Sequence, residues 1–243
     1  MSDFTREQET FLLAAVRDYL EAVVPSGTSR AEIHEQYDEQ RRELIEEKLK
    51  PLLDDYFKGS EELSKFKSQI NKINRVKRIQ IKGIKNRLWG FSGFGGQRFF
   101  DMLVKNAKNA EECDCELKSA LSLPEDDEEA AAKLRKFRAY VVCVRETQNK
   151  GLYLWSVPFF VSYFWQIRKP NIWPIYFPNS VRAIERMNMN LWHKTGVVDQ
   201  DYLSFKRLHK RIIELVSKKL GRTFTHYDVE HVLWFKGGND VST

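Results

Sequence analysis

Between Asp199 and Leu220 the apolar residues Tyr202, Phe205, Leu208, Ile212, Leu215 and Leu220 recur every three or four positions, and Gly221 follows. That spacing lines up one face of an α-helix, and glycine is the residue that ends one most easily. The same period occurs at the front of the chain, in Phe4, Phe11, Leu12, Ala15, Val16, Tyr19 and Val23, before Pro25-Ser-Gly stops it. No series of alternating apolar and polar residues competes with it, and no internal repeat is visible. The reading is a mainly α chain. It is a single globular helical domain over 60–238, preceded by a helical N-terminal extension over 1–59.

Local punctuation supports further helices. Ser29-Arg-Ala-Glu32 is a capping box, opening a helix that carries Ile33, Tyr37, Leu44, Ile45 and Leu49. Pro51 is expected to break or kink it. Ser60-Glu-Glu starts another helix, with Leu63, Phe66, Ile70 and Ile73 on it. The most apolar run, Leu152 to Trp165, is fourteen residues long and holds Pro158. A membrane span needs roughly 20 residues, so this run reads as a buried core helix. Ile172-Trp-Pro-Ile-Tyr-Phe-Pro is extended, because each proline disfavours helix in the residue before it. Thr225 caps a last helix from His226 to Phe235. Residues 75–88 fit neither period and are read as a short strand or an irregular basic segment.

Charge is distributed unevenly. The formal net charge is only +6, yet Leu63 through Phe100 contains no acidic residue at all. It carries Lys65, Lys67, Lys72, Arg75, Lys77, Arg78, Lys82, Lys85, Arg87 and Arg98, and runs into Trp89-Gly-Phe-Ser-Gly-Phe-Gly-Gly. Positive charge at that density needs water or an anionic partner. Cations neutralise phosphates, aromatics stack on unpaired bases, and glycines let backbone N–H groups approach phosphate. Lys77, Arg78, Lys82, Lys85, Arg87 and Arg98 are therefore candidate phosphate contacts, with Trp89 stacking on a base or shaping the loop. A second set, Arg168, Lys169 and Arg182 with Trp173 and Tyr176, surrounds a proline-rich turn entering a helix. Helix starts suit phosphate.

Catalytic readings find little. The glycines form neither a Walker A nor a dinucleotide-binding pattern. Asp101, Glu116 and Lys118 would make a nuclease set only on strands, and the last two lie on a helical stretch, facing apart. Glu185 and Asp199 to Asp201 are carboxylates that nothing singles out as bases. His226 and His231 are five apart, roughly 140° around a helix, which suits structural histidines better than a metal site. Cys113, Cys115 and Cys143 make no disulfide framework or zinc site and suit a reducing compartment, and Cys143 is expected on an apolar face. No catalytic residue, cofactor or metal is expected, and a cytoplasmic protein without a membrane partner is.

Three segments in order resemble a known group. Leu88-Trp-Gly-Phe-Ser-Gly-Phe-Gly-Gly-Gln-Arg-Phe-Phe-Asp-Met-Leu is similar to a block ahead of the motor in McrB-like restriction ATPases and GTPases. Trp173-Pro-Ile-Tyr-Phe-Pro-Asn-Ser-Val-Arg-Ala-Ile and Asp228-Val-Glu-His-Val-Leu-Trp-Phe resemble two later blocks of the same front region. The likeness runs from about residue 49 to 235. It implies a non-catalytic recognition module that binds nucleic acid, DNA ahead of RNA, in a bacterial restriction or anti-phage system. It also implies a motor ATPase or GTPase, or a nuclease subunit, as partner. This chain has no Walker A lysine. The alternative reading is an interaction or oligomerisation domain, in which the Glu-rich helices from Phe4 to Phe57 dock such a partner or a second copy. A nuclease with a dispersed site is the third.

Overall fold

The structure, a computed structural model, describes residues 4–23, 27–75, 91, 95–147, 151–187 and 189–237. Among them every regular element is helical; the nearest approach to a sheet is one antiparallel bridge between Val23 and Ser29. Of the segment read as strand or irregular, 75–88, Arg75 is the last residue of a helix and 76–88 lie outside the described residues, as do Lys77, Arg78, Lys82, Lys85, Arg87 and Trp89.

Helix α1 (Arg6–Glu21) opens at Thr5, whose Oγ1 accepts from Gln8 N at 3.2 Å. Helix α2 (Arg30–Leu44) opens as expected, with Glu32 accepting from Ser29 N at 3.2 Å. The chain then passes Pro51 without stopping. A π turn at Ile45–Leu49 joins α2 to α3 (Lys50–Lys58), placing Pro51 in the first turn of the new segment. There a proline's missing N–H and its ring are tolerated, and the inserted turn absorbs the clash that would otherwise break the helix. Gly59, at φ +79°, ends α3 in the left-handed conformation that glycine adopts most readily. Then come α4 (Leu63–Arg75), α5 (Gln97–Asn106), α6 (Ala110–Leu121), α7 (Asp127–Thr147), α8 (Ser156–Arg168), α9 (Pro178–Arg186), α10 (Val198–Leu220) and α11 (His226–Lys236).

Helix α8 is the axis of the core. From Ser156 to Ile167 every residue is buried, as the run without a polar face requires. Phe66 of α4, Phe100 of α5 and Phe137 of α7 place their rings against Phe160 or Phe164. Phe91 stacks on Tyr163 at 4.1 Å. Two of the polar groups that come inside find partners on neighbouring helices: Trp165 Nε1 donates to the Ala120 carbonyl of α6 at 3.0 Å, and Tyr163 Oη to Asn74 of α4 at 3.1 Å. The extended stretch 172–177 crosses α8 and is pinned by Ser162 Oγ, which accepts from Tyr176 N at 2.9 Å. Cys143 departs from expectation. It is exposed on α7, while Val141 and Val144 turn inward and Cys113 of α6 is the buried cysteine.

The front helices share this core. Leu12, Val16 and Tyr19 of α1 and Ile33, Tyr37 and Leu44 of α2 belong to the same buried cluster as α8 and α10. The α2–α11 contact is ionic at its centre. Arg41, 1% exposed, donates to Glu230 at 3.0 Å and lies 3.4 Å from Asp38. No described helix is long and apolar enough to cross a membrane.

Candidate functional site

Three helices begin around one cleft. It has a volume of about 470 Å³ and is walled by Leu154, Trp155 and Pro158 at the start of α8, by Pro178, Val181 and Arg182 in the first turns of α9, and by Gly196 and Val198 at the start of α10. Arg138 reaches it from α7, and Lys194 from the loop before α10. Tyr176, Glu185 and Asp201 complete the wall.

Each position follows from local sequence. The prolines at 174 and 178 keep the chain extended until α9 can start, with Pro178 as its first residue, where a missing N–H costs nothing. Arg182 and Glu185 are three apart on α9 and so share a face. Trp155 precedes the all-buried α8 and is left outside the core, 48% exposed, with Tyr153 beside it at a ring separation of 5.7 Å.

The electrostatics favour an anion. Arg138, Arg182 and Lys194 are exposed, and none forms an ion pair with another described residue. Of the two carboxylates, Asp201 is 4% exposed and already engaged: it accepts from Thr195 N at 2.6 Å, Thr195 Oγ1 at 2.8 Å and Gly196 N at 3.0 Å. Glu185 is exposed and unpaired among the described residues. Burial pushes the Tyr176 phenol well up, and the nearby Asp201 and Glu185 carboxylates push it the same way, so it stays a protonated donor. The cleft thus offers cationic donors, one free carboxylate, a phenol and an open indole face. That set binds and orients; it contains no paired nucleophile and base.

The second set of sequence candidates divides between two places. Arg182 and Tyr176 line the cleft. Arg168 lies at the far end of α8, about 18 Å along the helix from its start, where it donates to Asp54 at 2.7 Å and covers the Phe57 ring. Lys169 follows it, exposed on the same end. Trp173 is buried under Lys206, whose Nζ sits 3.6 Å from the ring centroid. Arg98 is exposed near the start of α5. Just ahead of it Gly95 abuts Trp155 and Phe159, where a Cβ would stand 3.4 Å from the indole. The described flank of the acid-free segment therefore touches the cleft's aromatic wall.

The nuclease candidates separate. Lys118 pairs with Asp114, Glu116 with Lys136, and Asp101 with Lys67. His231 and His226 are buried at opposite surroundings, the first against Asp38 and the second beside His209. Among the described residues no group of three or more His, Cys, Asp or Glu is placed to hold a metal ion.

Sequence reasoning missed Arg138, Lys194 and Trp155. Arg138 reads as one cation among several late in α7, and Lys194 as a loop charge. Only Trp155 carried a signal, an aromatic pair with Tyr153 just before an apolar helix. Set against family models, curated proteins and solved structures, the chain matches none of them.

Proposed function

We propose that this chain is a non-catalytic nucleic-acid-binding module, with DNA favoured over RNA. Its contact surface combines the acid-free segment with the cleft of Arg138, Arg182 and Lys194. The observation that carries the reading is the junction at Gly95: at this end of the basic, glycine-rich run the space a Cβ would fill lies against Phe159 and Trp155, the aromatic wall of a cleft whose three cations form no ion pair with another described residue. Cations supply affinity through counterion release, and an exposed indole beside them supplies a stacking surface for an unpaired base. The likeness to the front region of McrB-like proteins supports a recognition role in a restriction or anti-phage system, with a motor or nuclease as partner.

Fluorescence anisotropy with labelled single- and double-stranded DNA and RNA across a salt series tests this. Wild type is compared with Arg138→Glu/Arg182→Glu and with Lys82→Glu/Lys85→Glu/Arg87→Glu, circular dichroism confirming that each variant folds. Binding should weaken steeply with salt, and each variant should show a shallower slope. Affinity that is flat from low to physiological salt, or equal in all three proteins, overturns the reading.

A further inference from the structure

Three helix starts and three cations meet at the cleft. Ahead of α10, Thr195 and Gly196 donate to the protein's own Asp201. At α8, Ser156 N and Val157 N donate to the carbonyls of Tyr153 and Leu154. None of the three helices has a side-chain cap; at α9 the N-cap is Phe177 and Pro178 is the first residue. Its first turn lines the cleft through Pro178, Val181 and Arg182. The positive end of its dipole and the Arg182 guanidinium therefore act on the same volume, which Arg138 and Lys194 approach from two other elements.

Size sets a limit. A volume of about 470 Å³ lies within the range, roughly 300–1,000 Å³, in which proteins enclose one small molecule. Pro158, Val181 and Val198 give it apolar walls, and Trp155 gives it a flat one. Glu185 and the Tyr176 hydroxyl are the polar groups left over, an acceptor and a donor. An anion alone would leave the indole and Glu185 without a role.

From this cleft we infer a seat for one nucleotide unit that ends in a phosphate monoester. The inference rests on the nucleic-acid reading of the same cleft and adds the class of ligand. The phosphate lies at the start of α9 among Arg138, Arg182 and Lys194. The base lies on Trp155, and Glu185 accepts from an exocyclic amino group. A monoester carries about −1.5 to −2 at neutral pH, against −1 for an internal diester, and so answers three cations better. A free nucleotide and the 5′-phosphorylated end of a strand present this same chemistry.

Isothermal titration calorimetry distinguishes these sources. The ligands are AMP, IMP, adenosine, inorganic phosphate, and one short oligonucleotide with either a 5′-phosphate or a 5′-hydroxyl. AMP should bind at least about tenfold more tightly than adenosine or inorganic phosphate, and the 5′-phosphorylated strand about tenfold more tightly than its 5′-hydroxyl form. Arg138→Ala/Arg182→Ala should remove that preference for phosphate. Trp155→Ala should weaken AMP and leave inorganic phosphate unchanged. Glu185→Gln should erase a preference for AMP over IMP, which carries a carbonyl in place of the amino group. If both strand forms bind equally and AMP does not bind, the inference falls and the nucleic-acid reading stands. If AMP binds and neither strand form does, the ligand is a free nucleotide and the nucleic-acid reading falls. Inorganic phosphate binding as tightly as AMP would reduce the cleft to an anion site and overturn the inference.

Discussion

His231 and Asp38 are 193 positions apart in sequence, yet His231 Nε2 stands 3.1 Å from each carboxylate oxygen of Asp38. The contact joins α11 to α2 inside the protein and continues into a chain of polar groups. His34 stacks on His231 at 4.1 Å, and Tyr19 Oη lies 2.6 Å from His34 Nδ1. On the other side Arg41 bridges Asp38 and Glu230 and covers the Tyr227 ring.

Burial opposes a charge on His231, but the Asp38 carboxylate outweighs it and holds the imidazole above its ordinary 6.5. Burial likewise opposes ionisation of Asp38, and His231 and Arg41 hold it below 3.8. A raised histidine contributes fully below 6.5 and loses its contribution as pH climbs through the folded value. A lowered aspartate contributes fully above 3.8 and loses its contribution as pH falls through the folded value. The pair is therefore fully effective between those two ordinary values. Asp38→Asn should lower the NMR titration midpoint of His231, since burial is then opposed only by the Glu230 carboxylate. A midpoint that does not move would show that the carboxylate does not set it.

Arg41→Met leaves Asp38 and Glu230 buried without their guanidinium. The expected cost is about 3–5 kcal/mol in urea melts, the usual penalty for orphaning a buried charge. Adding Glu230→Gln should recover part of that loss, because the remaining group no longer needs a cation. A double variant less stable than the single one would contradict this account.

His226 behaves in the opposite sense. Burial lowers it to about 4, with the Lys206 cation acting the same way. His209, 1% exposed and without a hydrogen-bond partner for either ring nitrogen among the described residues, is also lowered, by burial and then by His226. A lowered histidine destabilises the fold as pH falls below 6.5, because the unfolded chain takes up the proton first. For His226 alone the loss approaches about 3 kcal/mol by pH 4. Melting temperatures should fall from neutral pH toward 4, and His226→Phe should flatten that slope.

Gly96 has no room for a side chain. A Cβ there would lie 2.8 Å from Phe91 Cα and closer still to the Phe91 carbonyl oxygen, backbone that cannot rotate away. Gly221 is constrained differently, by φ +66° at the end of α10, with open space around it. Gly221→Ala should cost about 1 kcal/mol, and Gly96→Ala distinctly more, about 2–3 kcal/mol or above. Equal losses in thermal melts would rule out the steric account of Gly96.

Trp155 and Trp173 should separate binding from stability. Trp173 is 1% exposed, and Trp173→Ala should cost about 3–5 kcal/mol. Trp155→Ala should change stability by less than about 1 kcal/mol and weaken single-strand binding by about 1–3 kcal/mol. Loss of stability without loss of binding would assign Trp155 to packing.

Much of the fold was legible in sequence because helix formation is local. The stripe of α10, the buried run of α8 and the Thr225 cap, which accepts from Asp228 N at 3.3 Å, each depend on residues within a few turns of one another. Pro51 marks where the regular α ladder is interrupted, but the form of the interruption, a π turn over Ile45–Leu49 that relieves the clash with the carbonyl four residues back, is set by the packing around it. Cys143 was misjudged because one residue's displacement around a helix is 100°, enough to turn a neighbour of Val144 to solvent.

The amino-acid sequence by itself determined that the chain would be helical, where several helices begin and end, and that its charge would be concentrated in one acid-free stretch. Period and capping are properties of neighbouring residues. Only the tertiary structure decided which cations meet. Arg182 joins Arg138 and Lys194, while Arg168, fourteen positions earlier, turns to Asp54. The buried Asp38–Arg41–Glu230–His231 cluster was equally invisible, since its members come from opposite ends of the chain. Charges interact through space, and helix packing, which rests on the sum of many apolar contacts, sets the distances between them.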